Sequence, residues 1–169
     1  MSTDTDVTDP PSDTATDSGD ADPAAAAAAP GRFERVLVVA TDDPAGRAAA
    51  STAVDLAAAH GATVDALYVV DTTEGWDVVV ERRERTGEAL VESVEAAGAA
   101  AGVDVEKWFR YGTPRREAVD FAAAHDADLV VVGSARRTGL DRLLHPDPVP
   151  ARVRRGADAP VMVVGPEDD

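Results

Sequence analysis

From Arg32 onward, short apolar runs alternate with longer amphipathic stretches. Val36–Thr41 is β-branched and apolar throughout, the pattern of a strand buried on both faces. Asp43-Pro44 then supplies an N-cap and a first-turn proline. The helix that follows runs to His60, with Ala49, Ala53 and Leu56 on one face and Gly61 as its stop. Ala66–Val70 reads as the second strand. Val78 to Ala101 reads as a long helix, with Leu90, Val94, Ala97 and Ala101 at helical spacing, Glu81, Glu84, Glu88, Glu92 and Glu95 on its solvent face, and Gly102 at its end. Val103–Arg110 is the third strand, and Thr113-Pro114 caps a helix to His125. Leu129–Val132 is the fourth strand. A long loop, Gly133 to Asp147, leads to a short helix near Val149–Arg155, and Pro160–Val164 is the last strand.

Five strands alternating with four helices predict an α/β fold: an open five-stranded parallel sheet, doubly wound, with right-handed crossovers and helices on both faces. Ligands in such sheets sit beyond the carboxyl ends of the strands, where strand order reverses. The places to search are Ala40–Asp43, Val70–Thr73, Tyr111–Thr113 and Gly133–Asp147.

Residues 1–31 do not share the alternation. They hold seven Asp and four Pro, with no Lys, Arg or aromatic residue. Such a segment buries too little apolar area to offset its ordering entropy, so a disordered acidic tail is expected. Its alanine run, Ala24–Ala29, is too short to be helical alone in water. The domain is expected over 32–166, with an acidic end at 167–169.

Charge narrows the function classes. The 169 residues include 22 Asp, 10 Glu, 15 Arg and one Lys, for a formal charge of -16. Repulsion of that size strains a compact fold in dilute buffer. At about 1 M salt the Debye length falls to about 3 Å and the repulsion is screened, which suggests a halophile's cytoplasm. Nucleic-acid binding is disfavoured, because phosphate contacts need clustered cations. The chain has no cysteine, so disulfides, thiolate metal sites and cysteine nucleophiles are excluded. No apolar run approaches the roughly 20 residues of a membrane span, and the acidic start is not a signal peptide. A cytoplasmic protein is expected.

The stretch Gly133-Ser134-Ala135-Arg136-Arg137-Thr138-Gly139-Leu140-Asp141-Arg142 follows the fourth strand, and Ala159-Pro160-Val161-Met162-Val163-Val164 closes the domain. With Arg35-Val36-Leu37-Val38-Val39 at its start and Tyr111-Gly112-Thr113-Pro114 before the third helix, this chain resembles the universal stress protein family over about residues 33–165. The resemblance implies a homodimer joined through the last strand, Pro160, Val161, Met162, Val163 and Val164. In one branch of the family ATP binds a loop of pattern G-x-x-G-x9-G-[S/T], beside an aspartate at the end of the first strand. Glycines there admit phosphate to the backbone, and the next helix offers free N–H groups and a positive dipole end.

Against that pattern, Gly133 matches the first glycine and Arg136 stands at the second. Pro146-Asp147 or Asp147-Pro148 replaces the closing Gly-Ser pair, and Thr41 replaces the aspartate. Asp147 would cap the last helix where phosphate belongs, and a carboxylate at about 4 Å from phosphate costs about 4 kcal/mol at an effective dielectric of 20. Arg136 acts oppositely: with Arg137 and Arg142 it makes a cationic loop, and residues 110–156 hold nine Arg against six acids. Arg136 either replaces backbone contacts with a guanidinium or fills the phosphate pocket. If nucleotide is retained, the expected site is Val39, Thr41, Val70, Gly133, Ser134, Arg136, Gly139 and Asp147. One histidine, His145, with flexible aspartates is too weak a set for a metal, so no metal ligand is expected; Trp76 and Trp108 read as packing anchors, and His60 and His125 as exposed or capping residues. Ser134 lacks the strand–turn–helix elbow of hydrolases, so no catalytic residue is expected. The function expected is a stress-response or signalling module, dimeric and mainly non-enzymatic, with nucleotide binding weak or lost; the alternative is a nucleotide-binding switch. A protein partner is open to the module, and a third reading is a regulatory subunit docked on a membrane transporter through the arginine-rich face.

Overall fold

The computed structural model describes residues 33–73, 77–134 and 158–166. The apolar runs become strands β1 (Arg35–Val39), β2 (Thr63–Asp71), β3 (Val105–Gly112), β4 (Leu129–Gly133) and β5 (Val161–Val164). The amphipathic stretches become α1 (Pro44–His60), α2 (Asp77–Ala101) and α3 (Pro114–Ala124). All neighbouring strands are parallel, in the order β3-β2-β1-β4-β5. The chain turns one way from β1 to β2 and the other way from β1 to β4, so strand order reverses between β1 and β4. The helix expected near Val149–Arg155 and the tail 1–31 lie outside the described residues.

The sheet separates two apolar layers. Val36, Val38 and Ala40 face α1 and α2, packing on Ala49, Ala53, Val91 and Val94. Leu37 and Val39 face α3, packing on Ala118, Phe121 and Ala122. Alternation along a buried strand thus supplies both cores from one run.

Local chemistry fixes most boundaries. Gly46 N–H donates to Asp43 Oδ1 at 2.9 Å, the expected N-cap of α1. At its other end Gly61 takes φ 65°. Thr113 precedes α3, but its side chain makes no cap; its carbonyl accepts from Arg116 and Glu117 N–H instead. The third strand starts two residues later than the apolar pattern suggests, because Val103 N–H donates to Gly98 O and closes α2.

Two packing details depart from the helical spacing. On α2 the sheet-facing stripe passes through Val91 and Val94, leaving Ala97 and Ala101 exposed. The glutamate face is not purely solvated: Glu84 accepts from Tyr111 Oη at 2.9 Å, and Glu95 from Lys107 Nζ at 2.6 Å.

Candidate functional site

Register builds a crevice at the strands' carboxyl ends. Val39 ends β1 opposite Leu67 of β2 and Val132 of β4. Beyond Leu67, β2 continues through Val70 to Asp71, paired there with Tyr111 and Gly112 of β3. Four further residues at about 3.3 Å each raise a wall about 13 Å tall beside the end of β1.

At the foot of that wall three segments meet. Thr41 follows β1, Gly46 lies in the first turn of α1, and Gly133 ends β4. A methyl on Gly46 would overlap Thr41 Oγ1 and the Thr41 carbonyl. One on Gly133 would stand 2.5 Å from Ala45 C and 2.6 Å from Gly46 N. Only backbone without Cβ permits this approach of helix start to strand end. Within the junction Thr41 Oγ1 is buried and has no hydrogen-bond partner among the described residues, which is rare for a hydroxyl. Ser134 anchors the next step by donating its N–H to Val164 O at 2.8 Å.

Charged groups of both signs border the crevice among the described residues. Asp42 is exposed, 3.8 Å from Arg47. Asp71 accepts from Thr73 N–H at 2.9 Å and from Thr73 Oγ1 at 2.6 Å. The Thr73 hydroxyl bond holds the Asp71 carboxyl below its ordinary value, so it is ionised at neutral pH. Arg83 of α2 donates from Nη1 to the Asp71 carbonyl, bringing a cation to the wall.

Of the expected nucleotide residues, the structure gathers Thr41 and Gly133 at one junction. Val39 and Val70 are buried strand-end residues, with Val39 in the α3-side core, and Ser134 lies one step past β4. Arg136, Gly139 and Asp147 lie outside the described residues, as do Arg137, Arg142, His145 and Trp76. Sequence reasoning missed Gly46 and Arg83. A glycine inside a helix is a weak signal, and Arg83 reaches the site only by the lie of α2. Among the described residues no group of three or more His, Cys, Asp or Glu is placed to hold a metal ion.

Away from the crevice, the amino-terminal half of the sheet holds a second polar cluster. Asp65 is fully buried on β2 and accepts from Arg35 Nη1 at 3.1 and 3.2 Å and from Trp108 Nε1 at 3.0 Å. Burial pushes its carboxyl up, opposed by the Trp108 bond and the Arg35 charge. Trp108 is thus the anchor expected, and His125 caps α3 as expected, its N–H donating to Phe121 O at 3.0 Å while its half-buried ring stacks on Phe121 with centroids 3.9 Å apart. At the sheet's edge, β5 pairs with β4 and leaves Met162 and Val163 38% and 40% exposed.

The model of the universal stress protein family matches residues 32–165, and the chain belongs to that family. A universal stress protein of Methanocaldococcus jannaschii is 31% identical over 140 residues, covering 78% of this chain and 82% of that one. Among solved structures, a universal stress protein in complex with cAMP matches with a TM-score of 0.65 at 22% identity, over 80% of this chain and 99% of its own. A family member from Arabidopsis thaliana with AMP bound matches with a TM-score of 0.60 at 20% identity, over 80% and 93%. The five-stranded parallel α/β fold is shared with both. No helix among the described residues is long and apolar enough to cross a membrane.

Proposed function

We propose that this member of the universal stress protein family is a stress-response or signalling module that acts as a dimeric, mainly non-enzymatic scaffold in the cytoplasm of a halophile, its nucleotide binding weak or lost. The observation that carries the scaffold reading is β5: an apolar edge strand with Met162 and Val163 exposed, a surface that invites pairing with a second copy. Sedimentation velocity at about 10 µM in high KCl tests it, since dissociation constants near that value correspond to about -7 kcal/mol. A dimer that Met162→Lys converts to monomer supports the proposal; a monomeric natural chain refutes it. Weak nucleotide binding rests on the departures from the family's glycine motif, with Arg136 at its second glycine and Asp147 where phosphate would meet the last helix.

A second reading has its own support. Thr41 Oγ1 is a buried hydroxyl without a partner at the point where strand order reverses, and relatives of this fold carry AMP and cAMP. On this reading the chain is a nucleotide-binding switch, with Thr41, Gly133 and Ser134 beneath the ligand and Arg136 on its phosphates. Calorimetric titration of ATP and AMP with magnesium in high KCl, on the natural chain and on Arg136→Gly, separates the two. Binding by the natural chain favours the switch. Binding that appears only in Arg136→Gly means the guanidinium fills the phosphate pocket. No heat from either leaves the scaffold.

A further inference from the structure

Helices α1 and α2 do not close over the sheet. Between them lies a groove of about 440 Å³ that opens at Thr41 and Gly46 of the junction and continues along Ala50, Val54, Leu90, Val94 and Ala97. Its floor is the core of the α1/α2 side, and its α2 wall is the part of the apolar stripe that the sheet leaves uncovered. Alanine walls let a second backbone approach closely, and an open apolar trough of this kind is a site for a small-residue segment.

The position of the chain's first described residue points to the occupant. Phe33 packs against the same α1/α2 core, its ring 4.9 Å from His60 at the C-terminal end of α1. The described chain therefore begins on the face that carries the groove, with 32 residues preceding it. Within them Pro23 and Pro30 bracket Ala24–Ala29, the one uninterrupted apolar run of an otherwise polar, acidic segment. Ala29 and Ala24 lie four and nine residues before Phe33, giving reaches of up to about 13 and 30 Å. We propose that Ala24–Ala29 docks into the α1/α2 groove of its own chain. Alanine loses no side-chain entropy on burial, and a short tether sets an effective concentration near the millimolar range, so a weak contact suffices. Because the groove's other end reaches Thr41 and Gly46, the test is made on protein free of nucleotide.

The chain lacks cysteine, so one nitroxide label can be placed at will. Ala27→Cys, labelled, is expected to erase the amide signals of Ala50 and Ala97 while sparing Ala118 on the opposite face. The same label on Ser12→Cys is expected to spare all three. Because apolar docking strengthens as salt is raised, the loss should persist at about 2 M KCl. Adding Ala97→Trp, which fills the groove, should restore the Ala50 signal with the rest of the spectrum unchanged. Unaltered Ala50 and Ala97 signals overturn the proposal, as does their recovery at high salt or their indifference to Ala97→Trp. Fading in a mixture of isotope-labelled and nitroxide-labelled chains would place a second copy in the groove and overturn it equally.

Discussion

The two ends of this sheet treat polar groups in opposite ways. Toward the amino ends, the buried Asp65 carboxylate is met by Arg35 and Trp108, and Asp128 Oδ2 accepts from the Glu34 and Arg35 N–H groups at 2.8 and 2.9 Å. At the carboxyl ends, Thr41 Oγ1 is buried without a partner, and Asp71 is ionised at the rim of an open crevice. One end is satisfied and closed; the other keeps polar capacity unused. Among the described residues the unused hydrogen-bonding potential lies at the carboxyl ends, the end where sheets of this kind take their ligands.

The largest expected effect breaks the closed end. Asp65→Ala strips Trp108 Nε1 of its buried acceptor and leaves the part-exposed Arg35 guanidinium with Glu106 alone, and urea unfolding in high KCl should show a loss of about 2–3 kcal/mol. A loss below about 1 kcal/mol would mean that water replaces the carboxylate and the end is not closed. Next comes the junction beneath the crevice. Gly133→Ala forces the Ala45 and Gly46 backbone aside and should cost about 1–3 kcal/mol, read from the same unfolding curves. An unchanged midpoint would show that the helix start is free to move.

Thr41→Val has the opposite sign. It removes an unpartnered buried hydroxyl at constant shape, so it should stabilise the unliganded protein by about 1 kcal/mol. A destabilised variant would show that the hydroxyl has a partner after all. The smallest effect is in pH. The Asp71 carboxyl lies below its ordinary 3.8, so its contribution is complete above 3.8 and is lost as pH falls through the lower folded value. Asp65 lies above 3.8: between that value and its folded one the native state keeps a proton that the unfolded chain has released, so its contribution falls as pH rises. Unfolding midpoints of Asp71→Asn and Asp65→Asn, each subtracted from the natural protein across pH 3 to 6, should therefore slope in opposite directions. Parallel slopes would erase the contrast between the ends.

Much of this was legible before any coordinates. The runs at Val36, Leu129 and Val161 predict strands because short apolar runs rich in β-branched residues suit a sheet's interior, though β5 at the edge leaves Met162 and Val163 exposed. Asp43-Pro44 and Gly61 mark the ends of α1 because capping chemistry is local. The crevice region followed from strand order, and Thr41 and Gly133 were named as site residues from the family's motif. Arg83, Gly46 and the partners of Asp65 were not legible. Asp65 in an apolar run looks like an interruption until Arg35 and Trp108, 30 and 43 residues distant, are brought beside it. Likewise the spacing of Leu90, Val94, Ala97 and Ala101 states that α2 has an apolar stripe, not how much of it the sheet covers.

The sequence by itself determined the elements, their alternation and the family, since periodicity, caps and motif residues are written within a few positions of one another. Tertiary structure alone decided which polar atoms find partners and which apolar surface stays open. Those outcomes depend on strand register and helix placement, where a shift of one residue turns a side chain to the other face of the sheet.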